Sequence, residues 1–415
     1  DRTRWLDQML QDGNWHQIRK IRNPRRARSA KLRNSAGEIV ESDLWADTMA
    51  DHFEKIQWRV RPAGLVEGQP LGTELPVLLS RFSATEVDIV IQKLKRKRAS
   101  GPDEVPAEFW QAVAETPEGL AWITALCNRC WSDEKMPDDW HHANVNAIHK
   151  KGAVDNCENY RPISLICVAY KLFASLLLKR LQEAGAEDRL TSTQFGFRRG
   201  RGTGDAICAV RRHIDLALAQ RCGRTALLAL DWAKAFDSIN VGAMITALRR
   251  FGLPEQILRI ISHIYEDRLF SVADGSSCSS TRRQCSGISQ GCPLSPFLFV
   301  MLMSVMMKDA VGSLSHESQA LYGTGSLDSL LYADDTLIVG LAEERVQELL
   351  DAVAATGQNY GMELHWSKFQ LLQVNGEYKL SAPDGSVIAP TEVMTYLGAC
   401  IYADGGIKSE LNRRL

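Results

Sequence analysis

Three acids stand where an apolar core should not want them. Asp231 closes the wholly apolar run 225–230, Thr-Ala-Leu-Leu-Ala-Leu, which reads as a buried strand. Asp334 and Asp335 fall between two more short apolar runs, 330–332 and 336–339, and so lie at the tip of a strand–turn–strand hairpin. Three carboxylates brought together at one sheet edge would repel one another strongly unless cations sat between them. Magnesium is the natural neutraliser, since it is hard, seeks oxygen and is completed by water and substrate phosphates. Two such ions about 3.5 to 4 Å apart would clamp the attacking and departing oxygens of an in-line phosphoryl transfer. Asp334-Asp335 taken alone is also an ordinary turn pair.

The surroundings decide between these readings. Leu230-Asp231-Trp232-Ala233-Lys234-Ala235-Phe236-Asp237 comes first. The stretch 287–299 follows, with Gln290-Gly291-Cys292-Pro293 and Ser295-Pro296, and then Tyr332-Ala333-Asp334-Asp335. In this order they resemble the palm motifs of reverse transcriptases, in the form carried by non-LTR (LINE-type) retrotransposons. Upstream, Gly101-Pro102-Asp103, His149-Lys150-Lys151-Gly152, the stretch 159–165 and Gln194-Phe195-Gly196-Phe197-Arg198 are similar to that family's fingers motifs. Downstream, 361–372 resembles its fourth palm motif, and Tyr396-Leu397-Gly398 the start of the primer grip and thumb. The resemblance covers roughly residues 83 to 402.

That resemblance implies an α+β, right-hand polymerase fold with helical and mixed fingers, an antiparallel-sheet palm and a truncated thumb. It implies an RNA-directed DNA polymerase that uses two Mg2+ ions, an RNA template, a DNA primer and dNTPs. Asp231 and Asp334 would be direct metal ligands, with Asp335 adjacent and the backbone carbonyl of Trp232 also facing a metal. Phe236 would sit under the sugar of the incoming nucleotide, where a ring clashes with a 2′-hydroxyl. Arg161 would grip the triphosphate with its planar fork, helped by Lys150 or Lys151. Gln290 and Gly291 would line the nucleotide pocket, Gly291 because a bare backbone permits close approach. Lys368 would be an acid for the pyrophosphate leaving group, although His365-Trp366-Ser367-Lys368-Phe369 departs from the family's usual Asn-x-x-Lys. A decayed or domesticated RNA-binding copy predicts substituted acids, and none of these is substituted. An RNA-dependent RNA polymerase would more often show Gly before the acids and a small polar gate, where this chain has Ala333 and Phe236.

These residues need elements to hold them. Apolar spacing predicts helices over 41–58, over 83–94 behind a Ser83–Glu86 capping box, over 170–181, and over 241–250 with Gly252 and Pro254 as its stop. A loop rich in Pro and Gly, 61–76, is the best candidate boundary. The division expected is a basic arm, helical extension and linker (1–80), fingers (81–225), palm (226–375, with a fingers return near 265–290) and the end of the palm with the start of the thumb (376–415). Nucleic-acid contacts are expected from Lys95, Arg96, Lys97 and Arg98 at a helix end, from Arg198, Arg199 and Arg201, and from the basic first 35 residues.

Forty-nine Lys and Arg against 50 Asp and Glu give a net charge of −1, which excludes a uniformly basic binder, so any polyanion must be held by local patches. A composition 45% apolar and 24% charged excludes a disordered or fibrous chain. Ten Cys in a chain this long do not make a disulfide framework. Cys127 and Cys130 read better as buried thiols on a helix, in a reducing compartment, than as zinc ligands completed by His141 and His142. The longest apolar run, 296–307, is short for a membrane span, so no membrane partner is expected. The chain opens on Asp1 and stops at Leu415 without a terminal signature, so a piece of a longer polypeptide is expected, with any endonuclease domain outside it. An intracellular location follows, nuclear for action at a chromosomal target.

Overall fold

A computed structural model describes residues 32–414, apart from positions 35, 65, 275 and 276. The basic stretch up to Lys31 lies outside the described residues. In chain order, helix α1 (Trp45–His52) runs into a π-helical turn, Phe53–Gln57. Helices α2 (Ala84–Gln92), α3 (Ala107–Ala114) and α4 (Pro117–Asp133) follow. Strands β1 (His142–His149) and β2 (Tyr160–Leu165) then lead to α5 (Val168–Glu183) and α6 (Thr203–Ala219). Next come β3 (Thr225–Leu230), the one-turn α7 (Ala235–Ser238), α8 (Val241–Phe251) and α9 (Glu255–Tyr265). Three short strands, β4 (Leu269–Asp274), β5 (Ser277–Cys278) and β6 (Arg282–Arg283), precede α10 (Ser295–Gly312) and α11 (His316–Leu321). The hairpin β7 (Leu327–Tyr332) and β8 (Asp335–Gly340), α12 (Glu343–Asn359) and β9 (Gln370–Val374) complete the central body. A second hairpin, β10 (Val393–Tyr396) and β11 (Ala399–Tyr402), and α13 (Lys408–Arg414) end the described chain.

The sheet that the sequence leads one to expect as the palm is four-stranded and antiparallel, in the order β7-β8-β3-β9. Strand β3 is apolar from Ala226 to Leu230 because both of its faces are covered, and the buried Thr225 at its start donates to the Gly340 carbonyl. Ala226, Leu228 and Leu230 enter the main core. Leu227 and Ala229 face a second cluster with Ala206, Val210 and Ile214 of α6 and with Met394 and Tyr396. Helix α10 runs through the main core against α8 and α12. At 18 residues it is long and apolar enough to cross a membrane, and 72% of it is buried inside the fold.

A second sheet orders β2-β1-β4-β5, with β6 also on β4, and its β1–β4 pair is parallel. Leu32, Trp45, Met49, Phe53 and Trp58 pack against Val145, Ala147, Phe270 and Val272 of this sheet, so the described part of the segment before residue 60 is built into the body. The 61–76 loop is built in as well. The Leu71 and Leu75 N–H groups donate to the carbonyls of Arg250 and Gly252, and Leu75 is buried in the main core.

Helix α2 starts with the capping box read from Ser83 and Glu86. It stops earlier than expected, at Gln92, because the Gln111 amide donates to the carbonyls of Ile91 and Leu94. Lys95 to Arg98 therefore lie in the following turn, with Lys97 at φ 57°, and not on the helix. Arg180 of α5 ties the start of α2 to the body. It is 1% exposed, forks to Glu86 at 3.0 and 3.1 Å, donates to the carbonyls of Leu78, Ser80 and Arg81, and lies 4.0 Å over the Phe82 ring. Arg180→Met leaves a carboxylate and three carbonyls without that donor, so a loss of roughly 3–5 kcal/mol is expected in urea unfolding. A loss within about 0.5 kcal/mol, as for a surface change, would contradict this packing.

Candidate active site

Strand register brings the acids together. Leu230 pairs with Thr336 across β3 and β8, so one further step sets Asp231 beside Asp335. Tyr332 pairs with Asp335 across the hairpin, which leaves Ala333 and Asp334 as a two-residue turn. Ala333 sits at φ 58°, unusual for a residue with a Cβ, and something must hold it there.

The holder is Gln194. Its Oε1 accepts the Ala333 N–H at 3.0 Å and the Gly196 N–H at 2.9 Å, and the side chain is fully buried. Around it the Phe195 N–H donates to the Leu331 carbonyl and the Leu331 N–H to the Thr193 carbonyl. A Cβ on Gly196 would stand 2.4 Å from the Ala333 nitrogen, so only glycine fits. Reading residue types missed Gln194 as a site-supporting residue, although the motif containing it was the available signal.

The electrostatics show the strain of this gathering. Loss of solvation raises the Asp334 pKa, the charge of Asp231 raises it further, and Arg161 opposes both. Asp335 is pushed up to about 6, first by desolvation and then by the charges of Asp334 and Asp231. Lys368 donates to Asp231 Oδ2 at 2.9 Å, so its amine stands at this corner, although it projects from a 3-10 turn at Trp366–Lys368. Among the described residues no three acids are already closed around an ion position, but the carboxylate oxygens of Asp334 and Asp335, whose ionisation is opposed, are donors of the kind that suits a hard divalent cation, with Asp231 at the same corner.

A folded-state pKa above the unfolded value means that the folded chain binds the extra proton. Stability contributed by Asp335 is therefore present below about pH 4 and lost as pH rises towards about 6. In chelator, the melting temperature of the wild type is expected to fall relative to Asp335→Asn across that window. Parallel curves would contradict the crowding.

Trp232 is set by its neighbours. The Asp231 carbonyl accepts from the His365 N–H and the Ala233 N–H donates to the Glu363 carbonyl, forming an antiparallel bridge between Trp232 and Leu364. By the alternation of such a ladder, the carbonyl of Trp232 turns away from Leu364, towards the β8 side. Its indole donates to Thr336 Oγ1 at 3.1 Å.

Phe236 is half-buried and held on two sides. It stacks on Phe299 at 4.3 Å with planes 10° apart, and meets Phe197 edge-on at 6.4 Å. Gln290 donates from Nε2 to Asp237 at 2.9 Å. At Gly291, φ 150°, a Cβ would lie 2.1 Å from the Ser164 carbonyl oxygen. The bare backbone there is required by β2, whereas the sequence suggested the approach of a nucleotide. Lys150 and Arg161 stand near enough to the acids for their charges to interact. Desolvation lowers the Lys150 pKa, Arg161 lowers it further, and Asp237 and Asp231 act against them. Lys150 and Lys151 are both exposed, and Lys150 is placed within reach of the charges of Arg161, Asp237 and Asp231.

The reverse transcriptase (RNA-dependent DNA polymerase) family matches residues 148–401, a range that spans the acid corner, Arg161 and Gln290. The chain belongs to this family. Its kinship within the reverse transcriptases is with those of non-LTR retrotransposons. The probable RNA-directed DNA polymerase from transposon BS of Drosophila melanogaster is 28% identical over 360 residues, covering 84% of this chain and 38% of that protein. The RNA-directed DNA polymerase from mobile element jockey of Drosophila funebris is 24% identical over 389 residues, covering 90% of this chain and 42% of that one. The reverse transcriptase chain thus spans about two fifths of these curated relatives. A solved structure of apo telomerase from Candida tropicalis, truncated from its C-terminal domain, aligns with a TM-score of 0.44 at 13% identity over 76% of this chain and 64% of that one.

The basic residues of the reverse transcriptase divide into two kinds. Lys95 and Arg98 are exposed, whereas Arg96 donates to Gln111 at 2.7 Å. The 198–201 group is engaged within the chain. Arg198 donates to the carbonyls of Thr191 and Gln194, Arg199 to Gln182 at 2.6 Å, and Arg201 to the Ser192 carbonyl beneath the Phe195 ring. Cys127 and Cys130 face the main core, and burial pushes their thiols up to about 12 and about 11.

Proposed function

We propose that this reverse transcriptase chain is an RNA-directed DNA polymerase of a LINE-like element, extending a DNA primer with dNTPs on an RNA template. The observation that carries this reading is the meeting of Asp231 with Asp334 and Asp335 at one sheet corner, within reach of the charges of Arg161 and Lys150. Asp231 and Asp334 would hold two Mg2+ ions, with Asp335 and the Trp232 carbonyl beside them. When bound, these ions would supply charge stabilisation for the attacking and departing oxygens.

The chain's own groups would do the rest. Arg161 and Lys150 would grip the triphosphate. Phe236, locked between Phe299 and Phe197, would bear on the sugar, and Gln290 and Gly291 would line the pocket. Lys368 would give up its contact with Asp231 and donate a proton to departing pyrophosphate. Lys95, Arg96, Lys97 and Arg98, with Arg198, Arg199 and Arg201, would lie along the primer–template, the engaged ones by exchanging carbonyl partners for phosphates. Catalysis of this kind is mostly positioning and charge stabilisation. Endonuclease or other domains of the longer protein would act beside it.

Primer extension on poly(rA)–oligo(dT) with Mg2+ tests the reading. The expected result is incorporation of dTTP that stops in chelator. Absence of incorporation by the chain joined to the remainder of its reading frame would favour a decayed RNA-binding copy. A preference for ribonucleotides would favour an RNA polymerase.

A further inference from the structure

Asp237 is a carboxylate the reaction does not require, yet it is 4% exposed and fully engaged. Its Oδ2 accepts Gln290 Nε2 and Gln57 Nε2, both at 2.9 Å, and its Oδ1 accepts Trp58 Nε1 at 2.9 Å. The backbones are locked as well. The Ile288 N–H donates to the Phe236 carbonyl, the Gly287 N–H to the Ile239 carbonyl, and Ser286 Oγ to the Asp237 carbonyl. Gly287 lies so close that a Cβ would stand 2.6 Å from Asp237 Cα. Burial raises the pKa of this carboxyl, while its donors and the charges of Lys234 and Lys150 oppose that rise.

An ionised carboxylate only accepts hydrogen bonds. Each glutamine must therefore turn its NH2 end to Asp237, which leaves the Gln290 amide oxygen directed elsewhere. We propose that Asp237 is a positioning residue that fixes which end of the Gln290 amide faces the nucleotide pocket. The proposal rests on the reading above that Gln290 lines that pocket.

Asp237→Asn keeps the shape and reverses half of the polarity. An indole only donates, so the Asn oxygen must stay with Trp58, and its NH2 then faces both glutamines. Gln290 can answer only by turning its oxygen inward or by letting go. The expected result is a folded protein whose KM for dNTP rises about tenfold, the scale of one charge-assisted hydrogen bond, with kcat little changed. In a Gln290→Ala background the same substitution should add nothing to KM. Trp58→Phe, which leaves Gln290 held, should leave KM as in the wild type.

A second measurement does not depend on turnover. In a spectrum of 15N-glutamine-labelled protein, with Gln290 assigned by its loss in Gln290→Ala, the Gln290 side-chain NH2 should be protected from exchange in the wild type and unprotected in Asp237→Asn. Three results would overturn the proposal: an unchanged Gln290 signal in Asp237→Asn, an equal KM rise in the Gln290→Ala background, or a Trp58→Phe effect as large as that of Asp237→Asn. A wild type that incorporates no dNTP would count against the polymerase reading alone, because the labelled spectrum still decides the hold on Gln290.

Discussion

Replacing Asp334 with alanine is expected to slow dTTP incorporation on poly(rA)–oligo(dT) by on the order of 10³-fold or more, equivalent to at least about 4 kcal/mol of transition-state stabilisation. The same change should leave the fold intact. The carboxyl is desolvated, and the charge of Asp231 works against its ionisation in the folded chain, so its removal relieves repulsion. The turn itself does not depend on the Asp334 side chain, because Ala333 is the residue held at positive φ, and Gln194 holds it. A variant with a wild-type melting curve and no turnover is therefore the expected outcome. If it retained turnover within tenfold of wild type, Asp334 would not be a metal-holding group.

Phe236→Val is expected to act on selectivity. The ring is gripped face-on by Phe299 and edge-on by Phe197, so it cannot swing aside to admit a 2′-hydroxyl. Valine keeps an apolar side chain and removes the outer part of the ring. The ratio of kcat/KM for dCTP over CTP, opposite template G, should fall about 10²-fold, a differential of about 2.7 kcal/mol. Because both nucleotides meet the same variant, any loss of folded protein cancels in the ratio. An unchanged ratio would mean that the ring is a core residue and not a gate.

Some of this was legible because it is local. The run 225–230 is a strand with those same bounds, since burial on both faces demands an unbroken apolar stretch. The hairpin of acids followed from two short apolar runs around a turn; β7 is longer than its run at the outer end, and β8 by one residue at each end, so that Asp335 opens the strand. The helices over 170–181 and 241–250 lie within α5 and α8, and Gly252 stops the latter at φ 104°.

What was illegible depends on partners far along the chain. Gln111 cuts helix α2 short from 15 or more residues away, and no periodicity in 83–98 announces it. Arg199 and Arg201 read as a free basic patch because Gln182 and the Ser192 carbonyl have no recognisable complement in composition. The 61–76 loop has the Pro and Gly of a linker, yet its backbone is bonded to Arg250 and Gly252, nearly 180 residues on. Gln57 and Trp58 sit at the end of an amphipathic helix and show no local sign of reaching Asp237. The acids could be read from residue type; the groups that hold them in place could not.

Cation binding tests, without turnover, whether Asp231, Asp334 and Asp335 form one divalent-cation site. Mn2+ binding would be followed by electron paramagnetic resonance with the chain on a dideoxy-terminated primer–template in the presence of the next dNTP. Two bound ions are expected for the wild type, beyond those held by the nucleic acid and nucleotide alone, with loss of at least one in both Asp231→Asn and Asp334→Asn. Equal binding by the wild type and the two variants would contradict such a site.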